Sequence, residues 1–152
     1  MTRPNLYLAA PLFSAAEREF NIRLEEILAD TFSVFLPQRD NHLFVDLIAS
    51  GIAPERARQR IFDGDVAAIR SCDLFFMVLD GRTVDEGACF ELGLAYGLGK
   101  RCVGLQTDAR RLLPFGNNPM LQCSLDHILG SIAEVRNWIT TEDAAKCGLP
   151  HS

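Results

Sequence analysis

Short apolar runs alternate along this chain with stretches of helical period. Residues 5–10 (NLYLAA) predict a first strand. Ser14 then predicts a helix N-cap, with Glu17 three residues on as its capping-box partner, for a helix reaching about residue 30. Residues 32–36 (FSVFL) predict a short second strand. Residues 37–54 show no clear period and are expected to be irregular, until Pro54, which suits the first turn of a helix reaching about residue 71. The run 73–79 (DLFFMVL) is short, continuous and apolar, the pattern of a strand buried on both faces. A polar loop, 80–86, separates it from a helix rich in small residues, 87–99, and residues 101–105 (RCVGL) predict a fourth strand. Residues 107–119 carry Pro114, Gly116, Asn117, Asn118 and Pro119 and read as a loop. A last short strand is expected at 120–124 and a last helix at 131–140, with the tail after about residue 141 loosely held.

Strands and helices that alternate in this way predict an α/β fold: a single domain over residues 1–152, with a doubly wound, flavodoxin-like sheet of about five mostly parallel strands and helices on both faces. Ligands of such sheets bind at the carboxyl ends of the strands, which directs attention to 9–14, 37–43, 80–91 and 107–120. No repeat, linker or low-complexity segment interrupts the pattern.

Composition narrows the partners. Of 152 residues 48% are hydrophobic and 23% charged, enough apolar surface for a true core. The formal net charge is -5 with no dense Lys/Arg run, so nucleic acid is a poor fit and a small neutral ligand the easier one. No stretch has the roughly 18 apolar residues of a membrane span, and the N-terminus lacks the pattern of a secretory leader. Five cysteines (Cys72, Cys89, Cys102, Cys123 and Cys147) form no CxxC pair, so reduced thiols in a cytoplasm are expected, and no metal-ligand spacing occurs. The glycines form neither a GxGxxG fingerprint nor a P-loop, so no dinucleotide or triphosphate cradle is expected, and no cofactor.

Two acids occupy positions where helical period calls for apolar residues. In the helix from Pro54, the apolar sector is Ile61, Phe62, Val66 and Ile69, and Asp65 falls inside it. A carboxylate placed there either anchors a neighbouring loop or points into a pocket, since burying it unpaired is costly. Glu91 shares a face with Ala88, Leu94, Ala95 and Leu98, either as a partner of the helix dipole or as a functional acid. Asp85 just precedes this helix, where an N-cap is the simple role. The small residues Gly81, Gly87, Ala88, Gly93, Gly97 and Gly99 allow close helix–sheet packing or room for a ligand. Tyr7 lies in the first strand, either as core filling or with its hydroxyl on a carboxylate near the strand ends.

In their order, YLAAPLFS (7–14), LPQRD (36–40), DVAAIRSCDLFFMVLDG (65–81), DEGACFELGLAYGLGK (85–100) and NPM (118–120) resemble the nucleoside 2-deoxyribosyltransferase family. The most specific piece is D-x-G-x-x-x-E-L-G-x-A, here Asp85, Gly87, Glu91, Leu92, Gly93 and Ala95. The resemblance implies that Glu91 is a nucleophile and that Tyr7 hydrogen-bonds and orients it. It implies that Asp65 and Asp85 lie near the base and sugar, and that Asn118 reaches a neighbouring subunit's site and contacts the sugar hydroxyls. Met120 would lie beside Asn118, and Gln38 near the base. The chain departs from many relatives at Ala88, where a hydroxyl residue is common, and at Arg101–Cys102, in place of a proline.

The implied reaction moves 2-deoxyribose between nucleobases through a covalent glutamyl sugar, with net retention. The implied partners are deoxynucleosides, free nucleobases and copies of the same chain, as a dimer or hexamer with shared sites. Two alternatives stand beside it. One is N-glycoside hydrolysis of nucleoside 5'-monophosphates, against which the apolar AAPLFS loop argues. The other is a non-catalytic nucleotide-sensing module, which would not need Tyr7, Asp65, Asp85 and Glu91 together. A nucleotide-cleaving family with a PGGxGT loop is excluded, since no such loop occurs.

Overall fold

The computed structural model describes residues 2–110, 114–141 and Ala144. The elements, in chain order, are β1 (Asn5–Ala9), α1 (Ala15–Leu28), β2 (Ser33–Phe35), α2 (Pro37–Asp40), α3 (Phe44–Ala49) and α4 (Pro54–Ser71). There follow β3 (Leu74–Val78), α5 (Glu86–Gly97), β4 (Arg101–Leu105), α6 (Pro119–Gln122), β5 (His127–Leu129) and α7 (Ile132–Trp138). The five strands form one sheet in the order β2-β1-β3-β4-β5, every pairing parallel. This is the flavodoxin-like α/β order, whose switch point lies between β1 and β3.

Strand alternation builds two cores. Leu6, Leu8, Leu74, Phe76, Val78, Val103 and Leu105 face α1 and α7, meeting Leu24, Leu28, Val135 and Trp138. Tyr7, Ala9, Phe75, Met77 and Cys102 face the other way, meeting Ile69 of α4 and Ala88, Leu92 and Ala95 of α5. Each central strand is thus buried on both sides, which is why β3 reads as an unbroken apolar run. Helix α5 comes so near the sheet because its inner face is Ala88, Leu92 and Ala95. Gly104 of β4 makes room instead for two leucines of the neighbouring loops: a Cβ there would lie 2.6 Å from Leu79 Cδ1 and 3.0 Å from Leu125 Cδ1.

Local chemistry sets the element ends. Ser14 and Glu17 form a complete capping box before α1. Pro54 opens α4 at its first turn. At the carboxyl edge, Asp80 accepts from Thr107 N (2.6 Å), Thr107 Oγ1 (2.5 Å) and Asp108 N (2.9 Å). The loops after β3 and β4 are tied together there.

The structure corrects several expectations. Segment 37–54 is not irregular: it holds α2 and α3, each too short to show a period. Residues 120–124 are not a strand. Asn118 caps a helical turn with Pro119 in its first position, and the fifth strand comes later, at His127–Leu129. Two glycines of α5 do not serve close packing: Gly93 and Gly97 face open space, with nothing within 4 Å of an added Cβ. Cys72, Cys89, Cys102 and Cys123 are free thiols, while Cys147 lies outside the described residues. The tail beyond residue 141 also lies outside them, except Ala144, which is fully buried in the α1/α7 core. Among the described residues no helix is long and apolar enough to cross a membrane.

Candidate functional site

The site forms at the switch point between β1 and β3, between the carboxyl edge of the sheet and helices α4 and α5. Tyr7 is fully buried on the α4/α5 face of β1. Its ring lies nearly parallel to Phe35 of β2 (centroids 5.5 Å) and Phe75 of β3 (5.7 Å), because both are its register partners in the neighbouring strands. The hydroxyl donates to Glu91 Oε1 at 2.9 Å. Of the two roles open to Tyr7, core filling and carboxylate partner, it performs both.

Glu91 is partly exposed, with its carboxylate beside Tyr7. Burial raises its pKa from 4.5 to about 8; the charges of Asp65 and Asp85 add to the rise and the Tyr7 hydrogen bond opposes it. Burial, then the Glu91 and Asp65 charges, likewise push the Tyr7 hydroxyl far up, so it stays protonated and remains a donor. Asp65 is also raised by burial, opposed by the hydrogen bond from Asn41 and by the nearby Tyr7 hydroxyl. Asp85 is the α5 N-cap, accepting from Ala88 N at 2.8 Å, and it lines the same cavity as Glu91. Asp65 thus anchors the neighbouring loop and borders the cavity at once, and Asp85 caps α5 at the edge of the same cavity.

That cavity, about 290 Å³, is bounded by Leu12 and Phe13 from the loop after β1, His42, Asp65, Asp85 and Glu91. A second hollow of about 380 Å³ adjoins it, sharing Phe44, Ile61, Asp65, Gly87 and Glu91 and extending past Arg58, Phe62 and Phe90. The walls are apolar and aromatic with a few converging acids, the composition of a small-molecule site. Arg58 stands over the Phe44 ring at 5.3 Å. The apolar sector of α4 is only partly core: Ile69 is buried, but Phe62 is 49% exposed at the mouth of this hollow.

Not every expected residue gathers here. Gln38 lines neither hollow: its amide is spent within the fold, accepting from Asn21 Nδ2 (3.0 Å) and donating to Arg18 O (2.9 Å). Asn118 has a local partner, since its Oδ1 accepts from Met120 N at 2.9 Å. It borders a separate hollow of about 320 Å³ with Arg82, Cys89 and Leu121. Met120 is 78% exposed. Within one chain neither lines the Glu91 cavity.

Two residues enter that sequence reasoning passed over. His42 borders the Glu91 cavity, and Asn41 donates to Asp65 Oδ1 at 2.8 Å. One signal pointed to Asn41. Gly64 sits in the interior of α4, where glycine costs about 1 kcal/mol relative to alanine, and a Cβ there would lie 2.8 Å from Asn41 Oδ1.

No curated protein matches the chain. Among solved structures it resembles a conserved protein from Enterococcus faecalis V583, 25% identical, with a TM-score of 0.71 over 90% of this chain and 99% of that one. A 2-deoxyribosyltransferase from Bacillus psychrosaccharolyticus is 24% identical, with a TM-score of 0.71 over 88% of this chain and 90% of that one. A CMP N-glycosidase from Clostridium botulinum is 17% identical, with a TM-score of 0.57 over 90% and 99%. The last two likenesses are of fold. The profile described as Nucleoside 2-deoxyribosyltransferase matches residues 6–145, almost the whole chain, and the chain belongs to that family.

Proposed function

We propose that this chain transfers 2-deoxyribose from one nucleobase to another by two displacements at Glu91. The observation that carries the reading is the Tyr7–Glu91 hydrogen bond of 2.9 Å at the wall of a cavity shared with Asp65 and Asp85. The glycosidic bond breaks as positive charge grows on the sugar, and a carboxylate under the anomeric carbon stabilises and then captures it. Tyr7 holds the Glu91 rotamer and favours its anion. A free base then attacks the glutamyl sugar by the reverse route, giving retention and ping-pong kinetics. Water in place of the base makes the same site a hydrolase.

Incubation of deoxyinosine with adenine or cytosine, followed by chromatography, tests this directly. A new deoxynucleoside is expected, and its absence alongside free hypoxanthine would mean hydrolysis instead. A slow 2-fluoro nucleoside should leave its sugar on Glu91 in mass spectra, and a label elsewhere would sink the covalent route.

The second reading is N-glycoside hydrolysis of a nucleoside 5'-monophosphate. It is favoured by Arg58 beside the larger hollow, a cation within reach of a phosphate. Leu12 and Phe13, which border the cavity from the loop after β1, argue against it. Release of cytosine from CMP but not from deoxycytidine would favour it.

The working unit in this proposal is a homo-oligomer with shared sites. Phe62, Phe90, Tyr96 and Leu98 expose 49%, 56%, 60% and 42% of their surface on α4 and α5 and just beyond, around the open glycines Gly93 and Gly97. So large an apolar face suits a second copy. Asn118 and Met120 then act across that contact, in the neighbour's cavity.

A further inference from the structure

Asn41 follows α2 in the loop beyond the carboxyl end of β2 and borders the Glu91 cavity. Its Nδ2 donates twice, to Asp65 Oδ1 at 2.8 Å and to Ile61 O at 3.0 Å. Both amide hydrogens are therefore spent on α4. The reverse orientation of the amide would set oxygen against a carbonyl and a carboxylate, so the hydrogen-bond network fixes it. Helix α4 has a notch to receive this group: at Gly64 a Cβ would lie 2.8 Å from Asn41 Oδ1 and 2.9 Å from Nδ2.

The chemical consequence concerns Asp65. Toward Asn41 its Oδ1 can only accept, because an amide NH₂ offers nothing but donors. A proton on Asp65 is then favoured on Oδ2, because a bare carboxyl oxygen accepts an amide hydrogen better than a protonated one. We propose that Asn41 is a positioning residue that fixes Oδ2 of Asp65 as the oxygen delivering a proton to the departing nucleobase. This rests on the deoxyribosyl reading above and assigns the general acid, which the sequence left open between Asp65 and Asp85. Asp85 is engaged as the cap of α5, its Oδ2 accepting from Ala88 N at 2.8 Å. The upward shift of Asp65, driven by burial, agrees with a group that keeps its proton to higher pH. Tyr7 and Glu91 face it from β1 and α5, and Asp85 and His42 border the same cavity.

In the first displacement the C1'–N bond breaks and its electron pair goes to the base. The Oδ2 proton of Asp65 passes to a ring nitrogen of that base, and a Glu91 oxygen forms the new bond to C1'. Asp65 is left as a carboxylate whose Oδ1 is still held by Asn41. In the second displacement Oδ2 takes a proton back from the incoming base as the ester breaks.

The test compares two donors, deoxyinosine and 7-methyl-2'-deoxyguanosine, whose base is already cationic and departs without a proton. Release of base is measured for wild type, Asn41→Ala and Gly64→Ala. The added methyl of Gly64→Ala should displace the amide at the end of a flexible side chain rather than the helix. General acids contribute about 10²–10⁴-fold, and loss of orientation should remove part of that. Both variants should therefore lose about 10- to 100-fold in kcat on deoxyinosine, and at least tenfold less than that on the methylated nucleoside. Equal losses on both donors, or no loss on either, would overturn the role of Asn41 while leaving the transferase reading intact. A wild type that releases base from neither donor would overturn both.

Discussion

Replacing Glu91 by Gln should stabilise the fold, and should do so in a pH-dependent way. The carboxyl titrates near 4.5 in an ordinary environment and at about 8 in the folded site. Below pH 4.5 it is protonated in both folded and unfolded chains, and it makes no difference to their balance. Between 4.5 and 8 the unfolded chain gives up the proton and the folded chain keeps it, so stability falls as pH rises. Above 8 both are ionised and the loss is complete. At about 1.4 kcal/mol per pH unit, the full loss is on the order of 5 kcal/mol. Water entering through the cavity screens the carboxylate and brings the expected figure nearer about 3 kcal/mol. Glutamine does not titrate, and its amide oxygen still accepts from Tyr7. Urea unfolding followed by the single tryptophan, Trp138, which is 6% exposed, should give coincident curves for the two proteins near pH 4. At pH 9 the variant should be more stable by about 3 to 5 kcal/mol. Stability curves that stay parallel from pH 4 to 9 would refute the argument, and so would a variant weaker at pH 9.

Other consequences are quickly stated. Glu91→Ala should retain the fold and lose transfer by several orders of magnitude, read as product formation beside a circular-dichroism check. Tyr7→Phe keeps the ring stack and removes one hydrogen bond to a charged group, so kcat should drop about 10- to 100-fold. Because that bond holds the Glu91 pKa down, the acid limb of kcat/KM, expected near 8, should move to higher pH in Tyr7→Phe; an unmoved limb would make Tyr7 a core residue only. After dissociation and reassembly, a mixture of Glu91→Ala and Asn118→Ala chains should regain part of the activity through sites that pair one intact Glu91 with one intact Asn118. A mixture as inactive as its parents, with exchange proven, would place Asn118 outside the shared site. Gly104→Ala drives a methyl against Leu79 and Leu125 and should cost about 1–3 kcal/mol in chemical unfolding.

Much of the frame was legible because each part had a local cause. The capping box at Ser14, Pro54 at the start of α4 and the apolar run of β3 lie within a few residues of the elements they determine. The acids at Asp65 and Glu91 stood out for a physical reason: each occupied an apolar sector, and such a position needs compensation from elsewhere. What escaped was set by distant neighbours or by brevity. The Asn41–Asp65 bond spans 24 residues of sequence. Helices α2 and α3 have four and six residues, less than two full turns each. At 120–124 the apolar residues suggested a strand, but Asn118 and Pro119 had already committed the backbone to a helical turn. The period of α4 marked Phe62 as needing a partner without telling whether this chain supplies one, and in the structure it stays half exposed.

The three-ring stack of Phe35, Tyr7 and Phe75 spans β2, β1 and β3, the middle ring holding the phenol that grips Glu91. The carboxylate at the centre of the site thus takes its position from the central sheet, although its own backbone rides on a helix. Thermal drift of α5 is resisted at the carboxylate by a brace anchored in three strands. Phe35 and Phe75 become levers on the chemistry although neither borders the two hollows that hold Glu91. Trimming either ring would loosen the brace from beneath, so that turnover should respond to the packing of the sheet interior as well as to the groups that meet the sugar.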